Sequence, residues 1–298
     1  MPALKNHHSA KTTKLLLIGD SSSGKTGSLC SLAAEGYNLR IIDLDNGIDL
    51  IKDYLTNSES SYVKKNPKAI EHVRYMTLTE KMKNLNGRLV PAAATVWQKT
   101  TNLLADWKEK DEETGEEFKL GPIVTWTPQD ILVIDSLSFL SNAALNFHLM
   151  MNNSLGATRT QNEGRRDVYQ AQELLRTLLS MLYDKAVKCN VIVISHITSI
   201  NDLGTKPGSE TTEERATMST PQGYPSAIGR ALSPHIPRYF NTVLIVKSDF
   251  AGKKYIHTSA QNIGGVQVNA KSSAPLSVKA KYPIETGLAD YFKALQQG

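Results

Sequence analysis

The chain has 298 residues, of which 40% are hydrophobic and 21% charged, and its 34 Lys and Arg outnumber 29 Asp and Glu for a formal charge of +5. These fractions are those of an ordinary globular protein and exclude a disordered or fibrous chain; the mild positive excess permits a polyanionic partner without requiring one. The N-terminus, MPALKNHHSAKTTK, lacks the apolar core of a secretory signal, and no run approaches the roughly 20 apolar residues needed to cross a bilayer, so a cytoplasmic protein with no membrane partner is expected. Two cysteines, Cys30 and Cys189, both in stretches that read as helical and apolar, exclude a disulfide framework, and His7 and His8 lack partners for a metal.

In chain order, short β-branched runs alternate with helical patterns and no repeat, which predicts an α/β fold with a mainly parallel central sheet flanked by helices. The runs are residues 14–18, 39–43, 73–78, 131–135 and 191–195, nearly all apolar, as strands covered on both faces should be. Helical spacing predicts helices over 25–34, over 91–107 with Pro91 in the first turn, over 138–151 and over 168–189. The charged stretch KEKDEETGEE lies in 108–129, read as a peripheral hairpin insertion. Residues 198–237 read as a long loop, 242–247 and 254–258 as a β-hairpin added after it, 261–282 as weakly patterned and basic, and 287–296 as a closing helix. The organisation expected is a flexible N-terminal segment 1–13, a core 14–260 and a C-terminal extension 261–298.

The strongest chemical signal is GDSSSGKT, formed by Gly19, Asp20, Ser21, Ser22, Ser23, Gly24, Lys25 and Thr26. It follows an apolar strand and opens a helix, the setting in which backbone N–H groups and a helix N-terminus surround phosphate oxygens. Lys25 would reach the β- and γ-phosphates of ATP, and the Thr26 hydroxyl would coordinate Mg²⁺. A second anchor is the strand 131–135, which ends in Asp135, a carboxylate suited to orienting the hydration shell of Mg²⁺. Ser136 follows where many phosphate-loop ATPases carry a glutamate base, so the activating carboxylate must come from elsewhere. Asp43 and Asp45, at the end of the strand 39–43 that follows the phosphate-loop helix, are candidates, with capping of the following turn as the plainer role. Ser195 and His196 end the strand 191–195 and form a candidate γ-phosphate sensor.

The order of these motifs resembles the RecA-type ATPase core, and the compact size, the late hairpin and the tail KAKYPIETGLADYFKAL are similar to phage-encoded RecA-like nucleotide-binding proteins, some of which are single-strand annealing recombinases. The resemblance covers most of 14–295. It implies a phosphate loop at Gly19 to Thr26, a magnesium aspartate at Asp135, a catalytic carboxylate at Asp45 where the family has glutamate, and a sensor at His196 where it has glutamine. It also implies single-stranded DNA contacts from 152–166, with Arg159, Arg165 and Arg166, and from 198–230, with Lys206, Arg215, Arg230 and Tyr224. A neighbouring subunit of a ring or filament would add a cation to the γ-phosphate, for which Lys247, Lys253 and Lys254 are candidates.

The resulting expectation is a DNA-stimulated, oligomeric ATPase acting on single-stranded DNA in recombination or annealing. Two other readings stay open at this point. One is a nucleotide-gated replication or helicase-loader-like accessory module with weak hydrolysis, favoured by the shortened Asp45 and altered sensor. The other is a small-molecule P-loop kinase, disfavoured by the lack of a compact arginine-rich lid.

Overall fold

The computed structural model describes residues 12–85, 87–110, 115–200 and 221–297. In chain order its strands are β1 (Lys14–Gly19), β2 (Asn38–Asp43), β3 (Val73–Thr77), β4 (Met82–Leu85), β5 (Arg88–Pro91), β6 (Trp107–Lys110), β7 (Glu117–Gly121), β8 (Asp130–Asp135), β9 (Asn190–Ser195), β10 (Ile197–Ile200), β11 (Gln222–Pro225), β12 (Thr242–Ser248), β13 (Lys254–His257), β14 (Gln261–Ile263), β15 (Val266–Val268) and β16 (Lys281–Pro283). The helices are α1 (Lys25–Ser28), α2 (Cys30–Ala34), α3 (Ile48–Thr56), α4 (Ser61–Lys65), α5 (Val96–Ala105), α6 (Leu137–Met151), α7 (Gln161–Tyr183) and α8 (Gly287–Gln297).

The central sheet runs β16-β13-β12-β1-β9-β8-β2-β3. From β12 to β3 every pairing is parallel, and β13 and β16 add antiparallel strands at one end. The expected architecture, a mainly parallel sheet flanked by helices with a β-hairpin beyond the long loop, is therefore the one observed. The inner parallel strands β1, β8, β9 and β12 read as near-continuous apolar runs because alternate residues enter two separate cores, whereas the edge strand β3 leaves Arg74 and Tyr75 exposed. In β1, Leu15 and Leu17 pack with Leu29, Leu32, Ile51 and Tyr291 on one face, whereas Leu16 and Ile18 pack with Trp97, Leu140 and Leu175 on the other. Helices α1 to α4 and α8 thus cover one side, and α5 to α7 the other. The C-terminal residues 281–297 belong to this body: β16 closes the sheet, and Leu288, Tyr291 and Phe292 of α8 are buried.

Several local expectations are corrected. The helix predicted over 91–107 is shorter, because Pro91 ends β5, and α5 starts at Val96, where the Glu80 carboxylate accepts from the N–H groups of Thr95 (3.0 Å) and Val96 (3.3 Å). That cap comes from 15 residues upstream of Thr95 and is invisible to local periodicity. The helix predicted over 168–189 begins seven residues earlier, at Gln161, where Thr160 and Glu163 form a capping box, and it stops at Tyr183. Cys189 therefore lies in the turn before β9 rather than in a helix, and both cysteines are buried and free. Parts of the predicted loop and of the weakly patterned tail are strands: β10, β11, β15 and β14 form a second sheet in that order.

The hairpin β6–β7 is tied into the body. Trp107 is fully buried against Trp126, ring centroids 5.5 Å apart, and the Arg74 guanidinium of β3 lies 3.9 Å from the Phe118 ring centre and donates to Glu109. Replacing the buried indole creates a cavity at the hairpin base, so Trp107→Ala is expected to lower unfolding free energy by about 3–5 kcal/mol. Urea denaturation checks this, and a loss below about 1 kcal/mol would show that the hairpin contributes little to the fold.

Candidate functional site

Because β1, β9, β8 and β2 are parallel, their carboxyl ends open on one edge of the sheet, and the chemistry-bearing residues sit there. The loop between β1 and α1 is shaped by backbone crowding at both ends. A Cβ on Gly19 would lie 2.7 Å from the Val246 carbonyl oxygen, and Gly24 caps α1 with φ of 101°, a left-handed conformation that favours glycine. The Lys25 ammonium folds back over the loop, donating to the carbonyl oxygens of Gly19 (2.9 Å) and Asp20 (2.6 Å). Its burial pulls the ammonium's pKa down, while the charges of Asp135, Asp20 and Asp45 oppose that shift.

Thr26, one residue on, donates its hydroxyl to Asp135 Oδ2 at 2.6 Å. This bond joins α1 to the end of β8 across β9, which separates β1 from β8 in the sheet. Asp135 is almost completely buried, and among the described residues neither its other oxygen, Oδ1, nor the hydroxyl of buried Ser136 has a hydrogen-bond partner. Burial, then the negative charge of Asp45, pushes the Asp135 carboxyl up to about 7. A buried carboxylate with a free oxygen beside a threonine hydroxyl is a donor set that suits Mg²⁺, an all-oxygen cation.

The two aspartates after β2 divide their roles. Asp43 is buried and spent on the turn, its Oδ1 accepting from the Gly47 N–H (3.0 Å) and its Oδ2 from the Thr77 hydroxyl (2.9 Å). Asp45 instead faces the cavity, with Oδ2 3.9 Å from His196 Nε2. Burial first, and the neighbouring Asp43 charge second, raises its pKa above the usual carboxylate value. The other ring nitrogen of His196, Nδ1, is 3.5 Å from the Ser21 hydroxyl, so the imidazole bridges the phosphate loop and Asp45. Burial and the Lys25 charge lower the pKa of His196, favouring the neutral ring.

Ser195 and His196, expected to act as a pair, point to different tasks. The Ser195 hydroxyl donates to the carbonyl oxygens of His196 (3.0 Å) and Ser226 (3.4 Å), and the Ser226 N–H donates to the His196 carbonyl oxygen (2.8 Å). It therefore ties the end of β9 to the residues following β11, and only His196 lines the cavity. This cavity, about 720 Å³, runs from Ser21, Lys25, Thr26 and Asp135 past Tyr54 and Tyr62 to Ile284. The latter residues carry no motif, and only their place around the cavity reveals them.

The expected DNA residues are scattered more widely. Lys206 and Arg215 lie outside the described residues. The loop expected over 152–166 is shortened by the early start of α7, which places exposed Arg165 and Arg166 on that helix. Arg159 is held by Asp167 Oδ2 (3.0 Å) and the Ser154 hydroxyl (2.8 Å), because Asp167 is buried and needs a counter-charge. Gly229 packs on Val168 and Gln172 of α7, bringing exposed Arg230 beside the helix that carries Arg165 and Arg166. Of the three lysines expected to act across a subunit boundary, Lys253 is exposed at the hairpin turn and Lys247 lies on β12. Lys254 reaches its own chain's loop, donating to the Ser22 carbonyl oxygen at 2.7 Å.

No family model matches this chain, and no curated protein does. Among solved structures it is similar to the RadB recombinase, with 10% identity over 86% of this chain and 90% of that one at a TM-score of 0.37. It is also similar to NeqB, an ATP synthase subunit from Nanoarchaeum equitans, with 8% identity over 96% of this chain at a TM-score of 0.37; the alignment spans 54% of that chain, about half its length. Among the described residues, no helix is long and apolar enough to cross a membrane.

The raised pKa of Asp135 has a stability consequence with a definite sign. Between the ordinary value of 3.8 and about 7 the folded chain keeps a proton that the unfolded chain releases, so this carboxyl's contribution is complete at acid pH and is lost as pH rises through about 7. In EDTA, Asp135→Asn is expected to reduce the loss of stability between pH 5 and 8 by on the order of 2–3 kcal/mol. Denaturant titrations of both proteins across that range check it; identical pH profiles would contradict the assignment.

Proposed function

We propose that this chain is a RecA-like ATPase that binds ATP with Mg²⁺ through Gly19 to Thr26 and acts on single-stranded DNA in recombination or annealing. The observation that carries the reading is the convergence on one cavity of Lys25, the Thr26–Asp135 pair, Asp45 and His196, contributed by four different strand ends. The RecA-like assignment rests on the motif order together with this convergence.

In this reading the loop N–H groups and Lys25 hold the polyphosphate and draw negative charge away from the γ-phosphoryl group. Thr26 and Asp135 would hold Mg²⁺, which supplies further neutralisation of phosphate charge when bound. Asp45 orients a water and takes its proton as the water oxygen attacks γ-phosphorus; the bond to the β–γ bridging oxygen breaks, giving ADP and phosphate. His196, neutral and between Asp45 and Ser21, has a single ring N–H, which it can direct either to the Asp45 carboxylate or to the γ-phosphate. Arg165, Arg166 and Arg230 provide the cationic surface for DNA backbone, and Lys247 and Lys253 are the candidates for cations supplied to a neighbouring subunit. A nucleotide-gated accessory module with weak hydrolysis is the second reading, favoured by the short reach of Asp45 and its contact with His196.

Lys25→Ala is expected to lower ATP turnover by about 100-fold or more, and Asp45→Asn to lower it by about 10²–10⁴ while leaving ATP affinity within about threefold. The acid limb of the turnover profile should lie above the ordinary carboxylate pKa, because Asp45 must be ionised to act. Steady-state kinetics and calorimetry separate these effects: equal loss of affinity and turnover in Asp45→Asn would make that residue structural, and turnover too slow to measure in the unaltered chain with intact binding would favour the gated module.

The DNA assignment is tested by turnover and binding with oligo(dT) over a salt series. Stimulation is expected to weaken steeply with salt, and Arg165→Ala with Arg230→Ala should reduce the slope of log affinity against log salt by about one to two. Absence of both stimulation and binding at low salt would remove single-stranded DNA from the proposal.

A further inference from the structure

The hairpin β12–β13 follows the long segment beyond β11 and would ordinarily be read as a surface addition. Its register places Lys254 opposite Ser248 at the turn end, and the Lys254 carbonyl oxygen accepts from the Ile284 N–H at 3.1 Å, which ties β13 to the residue following β16. This fixes the backbone of Lys254 between β12 and the residue after β16. The phosphate loop in turn accommodates its side chain: a Cβ on Gly24 would stand 3.2 Å from Lys254 Cδ and 3.3 Å from Ile284 Cγ1, so the aliphatic stem passes over backbone that glycine leaves bare. The ammonium then donates to the Ser22 carbonyl oxygen at 2.7 Å.

Lys25 and Lys254 therefore make the same kind of contact, each donating to a carbonyl of the loop. An ammonium has three donor hydrogens. The Ser22 carbonyl takes one of those on Lys254, and the residue lines the cavity with Ser21, Ser22, Gly24 and Lys25. We propose that Lys254 is a second phosphate-contacting cation of this site, supplied in cis by the chain's own hairpin. The proposal rests on the nucleotide reading above, and it replaces the expectation that Lys254 serves a neighbouring subunit. Its ligand class is the polyphosphate of a nucleoside triphosphate, recognised by charge at the outer side of the loop.

The test uses the full chain and calorimetric titration with ATP–Mg²⁺ and, separately, inorganic tripolyphosphate. Lys254→Met is expected to weaken both by about tenfold to a hundredfold, the range for losing one charge-assisted hydrogen bond, and Lys254→Arg to recover most of the affinity. Unchanged affinity for both ligands in Lys254→Met would overturn the proposal, as would a loss for ATP with none for tripolyphosphate. A second measurement separates cis from trans action. Chains carrying Lys254→Met are mixed with chains carrying Lys25→Ala; turnover restored by mixing would show that the cation crosses between subunits and overturn the assignment, whereas no restoration supports it. If the unaltered chain takes up neither ligand, the nucleotide reading itself fails, and that failure is seen before any substitution is made. Melting temperatures of the variants within a few degrees of the parent exclude loss of fold as the cause.

Discussion

The hydrogen bond from Thr26 to Asp135 is the contact on which the site depends. It spans β9 to join the first turn of α1 to the end of β8, and it is made by a carboxyl that burial holds near neutrality. Such a bond is possible only where the register of three adjacent parallel strands brings their ends level. In β1, Gly19 pairs with Val246 of β12, and in β8 Asp135 pairs with Asp43 of β2 and Ile194 of β9. One step of slip of β8 against β2 and β9 would turn Asp135 to the other face of the sheet and leave a carboxyl among apolar side chains, at a cost of several kcal/mol.

Electrostatically, the cavity is a crowd of opposing charges. Burial and then the charge of Asp43 raise the pKa of Asp45, burial and then the charge of Asp45 raise that of Asp135, and the Lys25 charge opposes both shifts. Among the described residues the burden is divided by position: the Asp43 carboxylate is satisfied by Gly47 and Thr77, that of Asp135 by Thr26, and Asp45 meets His196 at a distance. A cation entering beside Thr26 would relieve the repulsion, so a site of this kind is completed rather than perturbed by its ligands.

Much of this was legible in the sequence because the signals were local and strong. Five short runs named five of the six parallel strands, β12 reading only as half of a hairpin, and GDSSSGKT fell between a strand and a helix as its chemistry requires. What escaped was set by contacts across the chain. Glu80 caps α5 from a distance, and Pro91 belongs to a strand because β4 lies beside it, so the 3.6-residue pattern misplaced that helix. The Thr160–Glu163 capping box was readable in principle, and missing it put Arg165 and Arg166 in a loop rather than on α7. No spacing rule could have separated Asp43 from Asp45, since the distinction lies in Thr77 on the adjacent strand. Likewise, the place of Lys254 over the phosphate loop depends on how β13 pairs with β12 and β16, which a sequence does not display.

The crowding at Gly19, where even one added carbon would meet the backbone of β12, has a mechanical meaning. The loop is rooted in β1, a strand near the middle of the sheet with both faces packed, so it stands on the stiffest part of the molecule. Its shape is settled when the sheet forms, and the entropy of ordering it is spent in folding rather than in capture. For the anion proposed above, little binding free energy would be spent on reshaping the end of the loop that is rooted in β1.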